Sequence, residues 1–234
     1  MLYYIIKMSK RNEKMGEFGY IKSNLDKISE KIAGRARLVC VCKSASDEEL
    51  IALAKLGVTD LAENRPQELK RRYELLIGLG FSPNMHQIGT LQRNKVKLIA
   101  PFCESIQSLD SKRLADDISK FAIQNGRKID VLIEVNSARE EQKSGVMPEE
   151  AKELLDYVAS LPGIRARGLM TMGPVCENPE DLRPYFRETK QLFDSLSGYF
   201  ADEPILSMGM SESYLVAISE GANLVRIGRL LFEK

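Results

Sequence analysis

Eight short apolar segments that alternate with amphipathic segments are the feature that most constrains the fold of this chain. The apolar segments occupy residues 37–43, 58–62, 84–88, 102–107, 130–135, 164–170, 205–208 and 224–227. Short runs that are apolar on both faces are typical of strands in a parallel sheet, and the segments between them carry apolar residues at helical spacing. Strand and helix therefore alternate about eight times, which predicts parallel strands joined by right-handed helical crossovers.

The alternation continues along the 234 residues without a linker or a change in composition, so we expect one domain spanning residues 1–234. Eight units in a domain of this size favour an α/β fold of the (β/α)8 TIM-barrel type, with a doubly wound open sheet as the alternative. The chain stops soon after the eighth predicted strand, and a predicted helix at residues 18–33 would fill the gap in the outer ring. Residues 1–16 are expected to be a ragged N-terminal extension, since Met8 and Met15 are alternative starts.

Composition and charge exclude several classes of protein. A formal net charge of +1 gives no reason to expect nucleic acid or an anionic membrane as a partner, and no apolar run approaches the roughly 20 residues of a membrane span. The four cysteines form no CxxC pair and the chain has one histidine, so no metal site is expected. Cys40 and Cys42 are expected on the helix-facing side of the first strand as small buried residues. This cysteine usage, with no convincing signal peptide, indicates the reducing cytoplasm.

Lys43 is the residue whose predicted position most suggests chemistry. It follows Val39 and Val41 on one face of the first strand, and Ser46 then caps a helix, so Lys43 lies at the C-terminal end of a buried strand. This is the edge at which β/α folds place their active sites. Partial desolvation there would disfavour the ammonium form and free the amine to attack a sugar, a keto acid or pyridoxal phosphate. An ordinary lysine extending from a strand end is the alternative.

Two further motifs, SMGMS at residues 207–211 and RIGR at residues 226–229, follow the seventh and eighth predicted strands. Barrels frequently bind phosphate with the loops after these two strands. Ser211 can offer its hydroxyl group and neighbouring amides, and Gly228 lets the backbone approach closely. A phosphate site, Lys43 and Arg226 in one barrel mouth suit pyridoxal phosphate. The predicted strand ends also expose Asn64, His86, Gln107, Asn136, Thr171 and Ser207.

The chain resembles the pyridoxal phosphate homeostasis protein family (YggS/PROSC-like), whose barrel is similar to the N-terminal domain of alanine racemase. The resemblance runs from about residue 38 to residue 232. The motifs that carry it are VCKSA around Lys43, ENRPQE around Asn64, HQIGTLQRNK from His86, REEQKSG from Arg139, GLMTM from Gly168, LSMGMS from Leu206 and VRIGRLLF from Val225. It implies a fold type III-like cofactor barrel without a C-terminal β domain.

The resemblance also implies roles for individual residues. Lys43 would hold pyridoxal phosphate as a Schiff base, Ser211 would bind the phosphate with nearby amides, and Arg226 would face the pyridine nitrogen. The cofactor-binding residues that it implies are Lys43, Asn64, His86, Ser207, Met208, Ser211, Arg226, Ile227, Gly228 and Arg229. The chain departs from the family pattern at Ser213, where an acidic residue is frequent, and at Met85-His86-Gln87, where the family has Trp-His-Phe.

The chemistry of these residues favours a carrier over an enzyme. A guanidinium only donates hydrogen bonds, so Arg226 would keep the ring nitrogen unprotonated and weaken the cofactor as an electron sink. Racemisation needs two bases, and alanine racemase takes its second base from a C-terminal domain. We therefore expect a cytoplasmic carrier or buffer that serves intracellular pyridoxal phosphate homeostasis with little or no turnover. The alternatives are a pyridoxal phosphate-dependent amino-acid racemase of limited activity, a cofactor-free Schiff-base aldolase, and a regulatory barrel that acts through a protein partner.

The chain is expected to be a monomer that binds pyridoxal phosphate and hands it to apo-enzymes. His86 is either a hydrogen-bonded residue at a strand end or a neighbour of the cofactor ring. Lys143 lies in a charged loop at residues 136–145 and is either solvated or a transient second acceptor of the aldehyde. Core filling is expected for Met170, Met172 and Met210, and for Met208 the alternative is a contact with the cofactor ring.

Overall fold

A computed structural model describes residues 17–234, in which eight parallel strands close into a single barrel. The predicted (β/α)8 TIM barrel is confirmed, and the open-sheet alternative is wrong, because the first strand pairs with both the second and the eighth. The predicted extension at residues 1–16 lies outside the described residues. The strands are β1 (Arg37–Val41), β2 (Asp60–Glu63), β3 (Asn84–Gln87), β4 (Ser105–Leu109), β5 (Ile129–Val135), β6 (Ile164–Thr171), β7 (Ile205–Ser207) and β8 (Leu224–Ile227).

Helices follow the strands around the outside of the barrel. The described α-helices are α1 (Gly19–Ile32), α2 (Asp47–Lys55), α3 (Pro66–Gly78), α4 (Val96–Ile99), α5 (Lys112–Gln124), α6 (Ala151–Ala159), α7 (Arg183–Ser195), α8 (Tyr214–Ser219) and α9 (Arg229–Phe232). As expected, α1 fills the gap in the outer ring: it contacts α2, α8 and α9, and Asn24 Nδ2 donates a hydrogen bond to the carbonyl oxygen of Glu233 over 2.8 Å. None of the helices in residues 17–234 is long and apolar enough to cross a membrane.

The predicted bounds are least accurate where a turn contains apolar residues. The fourth strand was predicted at residues 102–107, but β4 begins at Ser105 because Phe102 and Cys103 both donate backbone hydrogen bonds to Ile99 and so close the turn after α4. The second strand starts at Asp60, since the backbone N–H of Val58 bonds back to Leu53 in α2. The crossover between β3 and β4 is short: a 3-10 turn at Arg93–Lys95 is followed directly by α4.

The barrel has two apolar layers. The larger lies between strands and helices and contains Cys40 and Cys42, both buried as predicted. The smaller fills part of the barrel interior with Val39, Val41, Ala62 and Leu224. Alternation along each strand sends successive side chains to the two layers, as expected of a barrel whose outer face is covered by helices. The remainder of the interior is polar, and this polar part leads up to the mouth described next.

Candidate functional site at the carboxyl end of the barrel

A cavity of about 790 Å³ opens at the carboxyl ends of the strands. Six of the ten predicted cofactor-binding residues line it, and they come from the loops after β1, β2, β7 and β8 and from β8 itself. These six are Lys43, Asn64, Ser211, Arg226, Gly228 and Arg229. The volume falls within the range of about 300–1,000 Å³ that is usual for small-molecule and cofactor sites. The chain therefore brings most of the predicted site together around one cavity.

Lys43 lies in the turn between β1 and α2, two residues beyond the end of the strand. Its side chain lines the cavity but is exposed, so the predicted partial burial is wrong: β1 ends at Val41 and the turn carries Lys43 above the sheet. The turn is fixed at its far end. Ser46 caps α2 by accepting a hydrogen bond from the backbone N–H of Glu49 over 3.2 Å, and the Glu49 carboxylate accepts one from the backbone N–H of Ser46 over 2.7 Å.

A buried arginine anchors the same turn from below. Arg72 in α3 donates a hydrogen bond from Nη2 to the carbonyl oxygen of Ala45 over 2.8 Å. Its Nε lies 2.9 Å from Glu63 Oε1 in a buried ion pair, although the N–H is not aligned for a hydrogen bond. Burial raises the pKa of Glu63 and the neighbouring Arg72 opposes this shift. The position of the Lys43 turn therefore depends on a charge pair between β2 and α3.

The loops after β7 and β8 form the opposite wall. Gly209 adopts a positive φ of 88°, and a side chain there would clash with α8 at Ala217 and Tyr214. Gly228 is equally constrained, because a Cβ atom there would lie 2.9 Å from the carbonyl oxygen of Val41. Ser211 joins the two loops by accepting a hydrogen bond from the backbone N–H of Leu230 over 3.4 Å.

This wall carries open hydrogen-bond donors. The backbone N–H groups of Ser211, Gly228 and Arg229 donate no hydrogen bond to any of the described residues. Backbone N–H groups that converge at the start of a helix or in a tight loop favour anions such as phosphate. Three such donors and the Ser211 hydroxyl group around one cavity edge are the donor set that a phosphate group requires.

Arg226 provides a fixed positive charge at the base of the cavity. It is buried, and its Nη1 donates to Ser207 Oγ over 2.5 Å while its Nη2 donates to the carbonyl oxygen of Thr171 over 3.0 Å. Burial lowers the pKa of Arg226 to about 10, and the nearby Glu134 carboxylate opposes this shift. Arg226 is therefore still protonated at neutral pH and can only donate hydrogen bonds.

Asn64 lies at the cavity because side-chain hydrogen bonds join the ends of β2 and β3. Gln87 Nε2 donates to the carbonyl oxygens of Asn64 over 3.1 Å and of Gly89 over 2.8 Å. Gly89 must lack a side chain, since a Cβ atom would lie 2.5 Å from the Asn64 carbonyl oxygen. Gln87 is fully buried, and its side chain bridges the ends of the two strands.

The structure does not place the other four predicted residues on the cavity wall. His86 is buried inside the barrel, where Nδ1 lies 2.8 Å from Ser105 Oγ and Nε2 lies 3.1 Å from Asp60 Oδ1. Ser207 lies between Arg226 and Gln107, to whose Oε1 it donates a hydrogen bond over 2.8 Å. The side chains of Met208 and Ile227 belong to the apolar layer under the helices.

Eight lining residues were missed from the sequence as site residues: Val41, Ser44, Ile88, Gly89, Thr90, Met172, Met210 and Glu212. Core filling is confirmed for Met170 and Met208, which are buried, and is wrong for Met172 and Met210, which are partly exposed at the mouth. Ile88 could have been predicted as a lining residue, because the alternation of side chains along a strand places it on the same inward face as His86. Within residues 17–234, no cluster of His, Cys, Asp and Glu is arranged to hold a metal ion.

Lys143 lies at a second, smaller cavity of about 240 Å³ beside the first, between the loops after β5 and β6. Its Nζ donates to Glu140 Oε1 over 2.7 Å and to the carbonyl oxygen of Gly173 over 3.4 Å. The loop is built around Asn136, whose amide group bonds both the N–H and the carbonyl oxygen of Glu140. The charged loop is therefore ordered by its own side chains, with Lys143 in an ion pair.

Fold and site together define a cofactor barrel of the alanine racemase type. Residues 18–233 match the family model described as the N-terminal domain of alanine racemase. An alanine racemase of Clostridium difficile 630 has a similar fold, with a TM-score of 0.76 and 19% identity, over 93% of this chain and 56% of that one. At this identity the likeness shows the fold alone.

Relatives with higher sequence identity show which family within this class the chain belongs to. A pyridoxal phosphate homeostasis protein of Aquifex aeolicus (strain VF5) is 48% identical over 198 residues, which cover 84% of this chain and 86% of the relative. One of Helicobacter pylori (strain ATCC 700392 / 26695) is 36% identical over 200 residues, covering 85% and 87%. The chain belongs to the pyridoxal phosphate homeostasis protein family, as its motifs predict. PipY of Synechococcus elongatus, solved with pyridoxal phosphate bound, has the same fold, with a TM-score of 0.82 and 24% identity over 91% of this chain and 100% of PipY.

Proposed function

We propose that this protein binds pyridoxal phosphate in the 790 Å³ cavity and serves as a carrier or buffer of the cofactor in pyridoxal phosphate homeostasis. The observation that carries the proposal is the placement of a lysine amine and a set of open phosphate donors around one cavity, with a buried cation at its base. The family relatives named for pyridoxal phosphate homeostasis, and PipY with the cofactor bound, support it.

The residues proposed to contact the aldehyde, the phosphate and the pyridine nitrogen all line the cavity. Lys43 would hold the aldehyde carbon covalently, and Ser211 with the N–H groups of Gly228 and Arg229 would bind the phosphate. Arg226 would donate to the pyridine nitrogen and leave it without a proton. When bound, the cofactor supplies an electrophilic carbon and an electron-accepting ring. An unprotonated ring nitrogen makes that ring a weak electron acceptor, which favours storage over catalysis.

The lining of the cavity also argues against efficient proton transfer. A racemase must remove a proton from one face of its substrate and add one to the other, so it needs two acid–base groups. The lining residues that the structure describes include the Lys43 amine and the Glu212 carboxylate, which is held in an ion pair with Arg229, but no histidine, cysteine or tyrosine. The proposed protein therefore has little or no racemase activity. A Schiff-base aldolase would use the same lysine without the cofactor and remains the second candidate function.

Absorbance and mass spectrometry test the proposal. Protein loaded with pyridoxal phosphate should be yellow, and borohydride should fix the cofactor covalently on the peptide that contains Lys43. Lys43→Ala should remain colourless, whereas Lys55→Ala, which removes an exposed lysine from α2, should behave as wild type. A wild-type preparation that stays colourless after incubation with pyridoxal phosphate would refute the proposal. An aldolase would instead trap a sugar phosphate or keto acid on Lys43, and a racemase would interconvert D- and L-amino acids.

The proposal extends to cellular context. We place the protein in the cytoplasm as a monomer that delivers the cofactor to apo-enzymes. Its four cysteines are all free, and three of them are buried, which suits a reducing compartment. Delivery can be measured as the rate at which loaded protein restores activity to a pyridoxal phosphate-requiring apo-enzyme. If Lys143 acts as a second acceptor, Lys143→Ala should slow delivery; delivery at the wild-type rate would exclude that role.

A further inference from the structure

Two oxygen atoms hold the guanidinium group of Arg226 at the base of the cavity. They are Ser207 Oγ, 2.5 Å from Nη1, and the carbonyl oxygen of Thr171, 3.0 Å from Nη2. Within residues 17–234 the side chain of Arg226 forms no other hydrogen bond, so these two acceptors determine where its remaining N–H groups point. The carbonyl oxygen belongs to the backbone of β6 and is fixed by the fold, whereas the hydroxyl group of Ser207 can rotate.

A count of protons shows what Ser207 needs in order to hold Arg226. A guanidinium group can only donate, so the Ser207 oxygen must accept from Nη1. A hydroxyl group carries one proton, and that proton then needs an acceptor elsewhere. The acceptor is Gln107 Oε1, at 2.8 Å from Ser207 Oγ. All three side chains are at most 3% exposed, so bulk water does not supply another acceptor.

Gln107 reaches Ser207 across the inside of the barrel. It lies on β4, which pairs with β3 and β5, whereas Ser207 lies at the end of β7, beside β8. The contact joins residues 100 positions apart and carries a cost, because Gln107 Nε2 has no hydrogen-bond partner among the described residues. The opposite orientation of the amide would leave the Ser207 proton without an acceptor. The hydrogen bond to Ser207 therefore accounts for the orientation that is present.

We propose that Gln107 is a positioning residue of the cofactor site: it accepts the proton of Ser207, which keeps a lone pair of Ser207 on Arg226 and so orients the guanidinium group toward the pyridine nitrogen. The inference rests on the proposed function, because that nitrogen belongs to pyridoxal phosphate. Gln107 does not line the cavity and acts only through Ser207 and Arg226. Its loss should therefore weaken the contact at the ring nitrogen and leave the contacts of the phosphate and of Lys43 unchanged.

Two probes that differ only at the ring nitrogen test this selectivity. One is pyridoxal phosphate, and the other is its analogue with a C–H group in place of the ring nitrogen, which keeps the aldehyde and the phosphate. Both are titrated by absorbance into the full-length chain, and the ratio of their dissociation constants measures the preference for the nitrogen. Wild type should prefer pyridoxal phosphate by about 10-fold or more, the size expected for a hydrogen bond from a charged donor.

Three variants should divide this preference. Gln107→Met replaces the amide with an apolar group of similar length, so it should lower the preference about 5- to 10-fold and leave the affinity for the analogue unchanged. Gln107→Glu keeps an oxygen that accepts the Ser207 proton and should retain most of the preference. Ser207→Ala removes the middle member. Combined with Gln107→Met, it should lower the preference no further than it does alone, because both substitutions act through the same contact.

A buried hydrogen bond in another part of the barrel provides the matched control. Ser119 in α5 is 3% exposed, and its Oγ accepts a hydrogen bond from the backbone N–H of Gly163 over 3.0 Å. Ser119→Ala should lower the free energy of unfolding without changing the preference. The nitrogen-15 chemical shift of labelled pyridoxal phosphate in the loaded protein gives a second measurement, since it distinguishes a protonated from an unprotonated ring nitrogen. Only Gln107→Met, and not Ser119→Ala, should move this shift toward the protonated value.

Two results would overturn the inference. One is a Gln107→Met variant that keeps both the preference and the nitrogen-15 shift of wild type. The other is a loss of affinity for both probes by the same factor, because a loss that does not depend on the ring nitrogen reports a change in the fold. If circular dichroism shows that Gln107→Met does not fold, the same two criteria apply to Ser207→Ala. Failure of the proposed function is distinct, because wild type itself would then take up no pyridoxal phosphate.

Discussion

The buried pair of Arg72 and Glu63 gives the sharpest test of how this fold positions its lysine. Removing one member of a buried ion pair typically costs about 3–5 kcal/mol, because the other charge is left unpaired. Arg72→Met keeps the length and the apolar contacts of the side chain and removes only its polar head. It also removes the hydrogen bond to the carbonyl oxygen of Ala45, which anchors the turn that carries Lys43. We expect a free energy of unfolding about 3–5 kcal/mol lower than that of wild type.

Urea unfolding at neutral pH measures this loss in the free energy of unfolding. For a chain of this size, the same loss lowers the midpoint temperature of thermal unfolding by on the order of 10 °C. Lys70→Met is the matched control in the same helix, since its ion pair with Glu74 is exposed and should contribute about 0.5 kcal/mol or less. Pairing Arg72→Met with Glu63→Gln should recover part of the loss, because no unpaired charge then remains. A loss below about 1 kcal/mol, or strictly additive effects in the double variant, would refute the reasoning.

The pH dependence of the Arg72→Met variant follows from Glu63. Burial raises the pKa of Glu63 in the folded state, so the folded state holds its proton more tightly than the unfolded state does. This tighter binding of the proton stabilises the folded state. The stabilisation is complete below the ordinary carboxyl pKa and is lost as pH rises through the raised pKa of Glu63. Without Arg72 to oppose the shift, the penalty of Arg72→Met should grow from acidic to neutral pH. A penalty that is constant across this range would contradict the assignment of a buried carboxylate.

Three further predictions concern other parts of the barrel. Gly168→Ala should lower stability by about 3 kcal/mol or more in urea unfolding, because φ is 150° there and a Cβ atom would overlap a carbonyl oxygen of β7. Burial alone would raise the pKa of Asp60, but hydrogen bonds from His86 and Arg37 hold it well below its usual range. This stabilisation should be present above about pH 4 and lost as pH falls below it, and Asp60→Asn should abolish that acid-dependent step in unfolding. Ser211→Ala should weaken pyridoxal phosphate about 10- to 100-fold in an absorbance titration, whereas a structural role alone would leave the affinity unchanged.

The sequence was most informative where geometry follows from periodicity. Apolar runs and helical spacing were enough to predict eight strands and the closing role of α1, since both depend on which face of each element is apolar. The same patterns were weak at chain turns. Phe102 and Cys103 are apolar and resemble strand residues, yet their N–H groups close a helical turn, and no pattern of hydrophobicity records where a backbone hydrogen bond goes.

The candidate site was predicted only in part, for a related reason. A motif shows which residues follow a strand but not the height of each residue above the sheet. His86 and Asn64 both belong to motifs that end strands, but His86 lies two positions before Ile88 and points into the barrel below the cavity. Met172 and Met210 are apolar, so composition assigned them to the core. Their place at the mouth depends on how far the loops after β6 and β7 extend, which is a tertiary property.

The exposure of Lys43 is the difference that matters most for the proposed function. A catalyst benefits from a buried lysine, because desolvation makes its amine more reactive and excludes water. A carrier must instead release its cargo to another amine, which has to approach the bond between lysine and aldehyde. In this barrel the proposed non-covalent donors lie on the walls and at the base, at Ser211, Gly228 and Arg226, while Lys43, the proposed covalent contact, lies in an exposed turn. Phosphate and ring would stay held while the aldehyde carbon remains open to a second amine. On this reasoning, release should depend on the chemistry of the incoming amine more than on opening of the fold, so the rate of transfer should rise with the concentration of the acceptor.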